Sequence, residues 1–220
     1  LGRLCLPKNL DEDEVREFER IVQKLRPLQR GEHIFRAGEP FNAIVSVRSG
    51  SFKSYVINEE GEEQVLGFHL PGEIIGLDAI HATTHTANVV ALDTSAVCAI
   101  NFQSVSDMAR HLPELQAELF RIMSRHIAEL EANAADLTAD QRIARFLLSI
   151  SSRFERRGYS ANEFNLSIAR RDIASHLRLA TETVSRVLAR FQEAGTIVVR
   201  RKNIVIKDFE ALETASHVLD

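Results

Sequence analysis

Cysteine is scarce in this chain. Two occur in 220 residues, Cys5 and Cys98, which excludes the disulfide framework of a small secreted domain. Long apolar runs are missing as well. Nothing approaches the roughly 18 consecutive apolar residues of a membrane span, and the opening LGRLCLPKNL lacks the apolar core of a signal peptide. A soluble, cytoplasmic protein with no membrane partner is expected. The chain also lacks a glycine-rich phosphate loop, a nucleophile with a placed base and paired carboxylates in a plausible cleft, so no enzyme is expected. The first residue is Leu rather than Met, and the expectation is that further native sequence precedes it.

Net charge is small, −4, but it is unevenly distributed. Residues 141–207 carry 14 Lys or Arg against 5 Asp or Glu, a balance of +9, whereas residues 1–140 carry 13 against 22, a balance of −9. A basic third of this kind attracts a phosphate backbone whatever its sequence, and makes the binding salt-dependent.

Within that third, SIARRDIASHLRLATETVSRVLARF (167–191) reads as two short helices around a tight turn. Ile173, Ala174 and Leu177 form an apolar stripe on the first helix; Val184, Val187, Leu188 and Phe191 form one on the second. Two helices packed through such stripes leave the outer face of the second free for a major groove. That face carries Glu182, Ser185 and Arg186 at i, i+3 and i+4, with Thr181 and Thr183 beside them. An arginine can hold guanine O6 and N7 through two hydrogen bonds, a carboxylate can accept from cytosine N4, and a hydroxyl serves either base. Glu182 and Arg186 could equally form an ordinary surface pair. Arg170 and Arg171 open the first helix, where they could grip phosphates. Beyond Gly195, TIVVRRKNIVIKD gives two β-branched runs around Arg201-Lys202-Asn203, a hairpin wing with a basic tip.

Upstream, residues 10–26 show an acidic amphipathic helix. From about 27 to 103 the pattern becomes short alternating runs cut by Gly31, Gly38, Gly50, Gly61 and Gly72, the spacing of a double-sheet β-roll; Asn58–Gly61 reads as a hairpin turn. Helical periodicity returns at 104–110 and at 112–135, with Pro113 acceptable in a first turn. Leu112, Leu115, Leu119 and Ile122 suit packing on the roll. Met123, Ile127, Leu130, Ala134 and Leu137 step by four and three, the spacing of a homodimer seam. Thr138-Ala-Asp-Gln141 is a capping box that starts a new helix through 142–153. The expected architecture is α+β. Residues 1–111 form a sensory β-roll of the cyclic-nucleotide-binding kind, 112–137 a dimerisation helix, and 138–220 a winged helix-turn-helix.

This order of parts resembles the CRP/FNR family of bacterial transcription regulators, and the resemblance covers essentially the whole chain. Glu182-Thr-Val-Ser185-Arg186 is similar to the FNR-type recognition helix; the CRP type has glycine where Ser185 stands and arginine where Thr181 stands. The resemblance implies double-stranded DNA as partner, read as a TTGAT-like palindrome by a homodimer, and RNA polymerase as a further partner. Arg186 would read the guanine, Glu182 the paired cytosine side, and Ser185 a neighbouring thymine. Cyclic-nucleotide sensors of the family hold phosphate with an Arg-Ser pair, and His85-Thr86 occupies that place here. Neutral histidine offers one donor where arginine offers a charged fork, so no cyclic nucleotide is expected.

Leu4-Cys5-Leu6-Pro7 and Thr94-Ser-Ala-Val-Cys98 resemble two of the four cysteine contexts that hold a [4Fe–4S] cluster in FNR proteins. The other two would lie upstream of Leu1, the nearer by two residues. The resemblance thus implies an oxygen- or redox-responsive regulator whose cluster forms in the complete protein and is absent from the chain as given, with Cys5 and Cys98 as ligands. A buried thiol that behaves as a small hydrophobe is the plainer account of Cys98. Two alternatives stay open: a regulator of the same fold that senses nitric oxide through haem or the state of a single thiol, and a ligand-binding module that binds nucleic acid without sequence preference.

Overall fold

A capping box starts the first helix, α1 (Glu12–Arg20). The Asp11 side chain accepts from the Asp13 and Glu14 amides, and Glu14 returns the bond to the Asp11 amide at 2.9 Å. In this computed structural model, which describes residues 11–132 and 137–217, α1 is shorter than the expected helix over 10–26. Val22–Lys24 leaves the helix to become strand β1. The cause is tertiary: β1 completes an antiparallel ladder, with Val22 opposite Ile100 and Lys24 opposite Cys98, and pairing outweighs a marginal local preference.

Strands β2 (His33–Phe35), β3 (Ala43–Ser49), β4 (Phe52–Ile57), β5 (Glu63–His69) and β6 (Ile74–Ile75) follow, then a single helical turn, α2 (Ala79–Ala82), then β7 (Asn88–Ala91) and β8 (Ala96–Asn101). They form two four-stranded sheets, ordered β1-β8-β3-β6 and β2-β7-β4-β5. Val45, Val47 and Val97 from the first sheet meet Phe35, Phe52, Val89 and Ala91 from the second to form the roll's core. Side chains alternate along a strand, so the other face of the first sheet presents Ile44 and Ile100. Phe18 of α1, Val105 and Met108 of α3 (Phe102–Ala109), and Leu115 of α4 (Pro113–Ala132) cover that face. Leu112 and Leu119 pack on the same cluster. At the hairpin tip, Asn58 accepts through Oδ1 from the Glu60 and Glu62 amides, and the Gly61 amide donates to the Asn58 carbonyl.

Helix α5 (Ala139–Glu155) begins at the Thr138 capping box, with Gln141 as its reciprocal partner. It is followed by β9 (Glu163–Asn165), α6 (Arg170–Leu177), α7 (Thr181–Glu193), β10 (Ile197–Arg200), β11 (Asn203–Ile206) and α8 (Phe209–Ser216). The wing is a three-stranded sheet, β10-β11-β9. Residue contacts divide the chain into two units, Leu1–Val56 with Phe68–Ala135 and Ile57–Gly67 with Asp136–Asp220. Among the described residues no helix is long and apolar enough to cross a membrane.

Candidate nucleic-acid interface and sensory pocket

Packing decides which face of α7 is free. Val184, Val187, Leu188 and Phe191 are buried, as are Ile173 and Ala174 of α6. The turn between the two helices places Arg178 in the left-handed region at φ 55°, a conformation unusual for a residue with a Cβ. What remains outward on the first turns of α7 is Thr181, Glu182 and Arg186, all exposed, with Thr183 and Ser185 half-buried. All five lie within the first two turns, next to the unpaired amides of a helix N-terminus.

Arg186 Nη2 donates to Thr183 Oγ1 at 3.3 Å rather than pairing with Glu182. Arg170, the first residue of α6 and exposed, donates from Nη1 to Ser185 Oγ at 3.3 Å. Arg171, also exposed, lies 3.9 Å from the buried Asp172 carboxylate. Arg201 and Lys202 form the exposed tip of the wing between β10 and β11, Arg201 at φ 57°. The structure therefore brings Arg170 to the reading face itself, where sequence reasoning had assigned it only to phosphates. Arg190 forms an exposed ion pair with Asp140 and is tied to the start of α5.

The candidate dimer helix needs one correction. Leu137 is buried within its own chain, and its carbonyl accepts from Arg142 Nε at 2.9 Å, so its side chain is not free for a partner. Met123 is half-buried and Ile127 exposed; the side chain of Leu130, and Ala134 altogether, lie outside the described residues. Phe120, one heptad before Ile127, is 58% exposed. The sequence reading passed over it because it falls outside the chosen four-three stepping.

In the roll, His85 stacks on Phe35 at a ring separation of 3.5 Å and meets Phe41 edge-on at 5.7 Å. It is 6% exposed, and its Nδ1 is buried without a hydrogen-bond partner. Burial pushes its pKa down, against the opposing pull of the Asp78 and Glu39 carboxylates. Thr86 donates to Asp78 Oδ2 at 2.6 Å. A phosphate at the family's nucleotide site would thus meet a neutral imidazole and a hydroxyl already committed to a carboxylate. These residues do not fit a cyclic nucleotide.

Cys98 is fully buried on β8, opposite Lys24 of β1 and Ser46 of β3. Alternation puts it on the Ile100 face, the one that α1 and α3 cover, rather than in the core between the sheets. The neighbouring Ser46 Oγ is buried with no hydrogen-bond partner. A soft thiolate donor beside an unused hydroxyl fits an iron–sulfur group, whose sulfides accept hydrogen bonds. Cys5 lies outside the described residues, and among the described residues no group of three or more His, Cys, Asp or Glu could hold a metal ion.

Comparison with known proteins bears on both units. Residues 141–215 match the Crp-like helix-turn-helix domain and residues 25–111 the cyclic nucleotide-binding domain. The chain is 43% identical over 211 residues to the transcriptional activator protein anr of Pseudomonas aeruginosa, covering 94% of this chain and 86% of that protein. It belongs to the CRP/FNR family of bacterial transcription regulators. Electron transport regulator A of Shewanella oneidensis is 40% identical, covering 96% of this chain and 86% of the relative. The fumarate and nitrate reduction regulatory protein of Escherichia coli is 38% identical, covering 99% and 88%. Among solved structures, FixK2 from Bradyrhizobium japonicum superposes with a TM-score of 0.79 at 25% identity, covering 91% of this chain and 100% of that one. CRP/FNR membership makes the C-terminal helix-turn-helix a DNA-binding domain and the protein a regulator rather than an enzyme.

Proposed function

We propose that this CRP/FNR protein is an FNR-type regulator that responds to oxygen or redox state and binds TTGAT-like palindromes as a homodimer. The observation that carries the reading is the outward face of α7: Glu182, Ser185 and Arg186 are presented together while the helix's apolar stripe is buried. Names of relatives that refer to electron transport and to fumarate and nitrate reduction support respiratory control as the theme. Cys98, with Cys5 and ligands outside this chain, would hold the [4Fe–4S] cluster, which supplies oxygen-labile chemistry when bound. The chain's own part is to keep the Cys98 thiol dry and beside Ser46. Exposed Phe120 and Ile127 on α4 support a two-fold seam, which would set two recognition helices about 34 Å apart on DNA. Arg170, Arg171, Arg201 and Lys202 would hold the backbone, and RNA polymerase would be the protein partner. Residues 1–111, 112–137 and 138–220 would serve as sensor, dimer helix and DNA reader.

The test is footprinting and titration of the Arg186→Ala variant. A bidentate arginine–guanine contact is worth about 1–3 kcal/mol of discrimination. Affinity for a TTGAT palindrome should therefore fall by about 5- to 150-fold, with little change on random DNA. Equal weakening on both DNAs would refute specific readout by this face.

A further inference from the structure

Two hydroxyls stand on the reading face of α7, and each is approached by a guanidinium: Ser185 by Arg170 and Thr183 by Arg186, both at 3.3 Å. Arginine carries donors only, so both hydroxyls must accept. A serine oxygen has one hydrogen and two lone pairs. When a cation takes one lone pair, the O–H hydrogen is polarised and turned away from the guanidinium. A second donor approaching the same oxygen would come to rest beside a positive charge. The hydroxyl is thereby biased from a group that can serve either base edge into one that donates.

The major groove offers distinct edges to such a group. Guanine O6 and N7, adenine N7 and thymine O4 accept, whereas cytosine N4 and adenine N6 donate. We propose that Arg170 is a positioning residue for base readout: it fixes Ser185 as a donor and so selects an acceptor-bearing base at the position Ser185 meets. This is separate from any attraction of Arg170 for phosphate, and it rests on the reading of α7 as the helix that enters the groove. The two residues sit on different helices, fifteen positions apart. Their proximity is set by the packing of α6 on α7.

The experiment compares four full-length proteins: wild type, Arg170→Ala, Ser185→Ala and the double variant. Each is titrated at one salt concentration against palindromic operators in which every half-site position carries all four base pairs in turn. Ser185→Ala should flatten the preference at one position, where the wild type favours a base presenting an acceptor. Arg170→Ala should flatten that same position by about 3- to 10-fold, the worth of one hydrogen bond, and the double variant should add nothing further there. The proposal is overturned if Arg170→Ala weakens every operator by one common factor while the Ser185 position keeps its preference. It is equally overturned if the favoured base there presents an amino group. Failure of the underlying reading looks different, since Ser185→Ala would then leave every positional preference intact.

Discussion

The turn between β3 and β4 provides a sharp test of how the sensory roll is held. Gly50 lies there at φ +79°, and a Cβ added to it would fall 2.1 Å from Ser95 Oγ and 2.7 Å from the Ser95 Cα. Ordinary carbon contacts begin near 3.5 Å, so the backbone of one loop would have to retreat by most of an ångström. Ser95 is poorly placed to do so. It is 1% exposed, exchanges two backbone hydrogen bonds with Leu28 at 2.8 and 2.9 Å, and donates from Oγ toward Asp93 at 3.0 Å. For Gly50→Ala, left-handed strain costs about 1–2 kcal/mol and overpacking about 1–3. The lower entropy of the unfolded chain returns less than about 1 kcal/mol. The expected loss is about 3 kcal/mol, which in a domain of this size lowers the melting temperature by on the order of 10 °C or more. Gly38→Ala is the matched control, at φ +87° with nothing within 4 Å of the added carbon, and should lose only about 1 kcal/mol. Calorimetry, with hydrogen exchange on the β3 and β8 amides, reads both. Equal losses in the two variants would show that the contact with Ser95 contributes nothing. Because Cys98 lies three residues along the same strand, the measurement also reports how firmly the thiol's strand is anchored.

Two further outcomes follow from titration and from the wing. Burial lowers the pKa of both His85 and His176, so the folded protein resists protons that the unfolded chain accepts near pH 6.5. Stability should be intact above that pH and should fall progressively as pH drops below it; a urea midpoint unchanged between pH 7.5 and 5 would refute this. Arg201→Gly should relieve the strain of φ 57° and stabilise the wing by about 1 kcal/mol. It should also reduce the slope of log affinity against log salt by about 0.9 if Arg201 meets a phosphate, and an unchanged slope would remove it from the interface.

The helix-turn-helix was legible in the sequence because its burial follows a strict local period. Val184, Val187, Leu188 and Phe191 recur every three or four residues, so the face left over could be named before any coordinates. The Thr138 box and the wing were legible for a similar reason, since each is written in a few adjacent residues. β1 was not, because Val22-Gln23-Lys24 extends an amphipathic helical pattern and becomes a strand only through its partners on β8. β9 was hidden for the opposite reason. Glu163-Phe-Asn165 is too short to show alternation and sits in a Ser- and Asn-rich stretch, yet it pairs with β11, Phe164 lying opposite Ile204.

The sites divide along the same line. His85-Thr86 announced a defective phosphate site by residue type alone. What stands there instead needed three dimensions: an imidazole between Phe35 and Phe41, and a threonine tied to Asp78. Leu137 fitted a heptad on paper, but its side chain is spent on its own fold. Arg170 shows the limit most clearly. In the sequence it is one of two adjacent arginines with equal claims to a phosphate, and nothing local separates it from Arg171. The packing of α6 on α7 separates them, sending one guanidinium to the Ser185 hydroxyl and leaving the other near Asp172. Specificity in such a reader is then a property of the helix pair rather than of the recognition helix alone. Transplanting residues 181–186 into another winged helix would carry the base-reading side chains but not the orientation of Ser185.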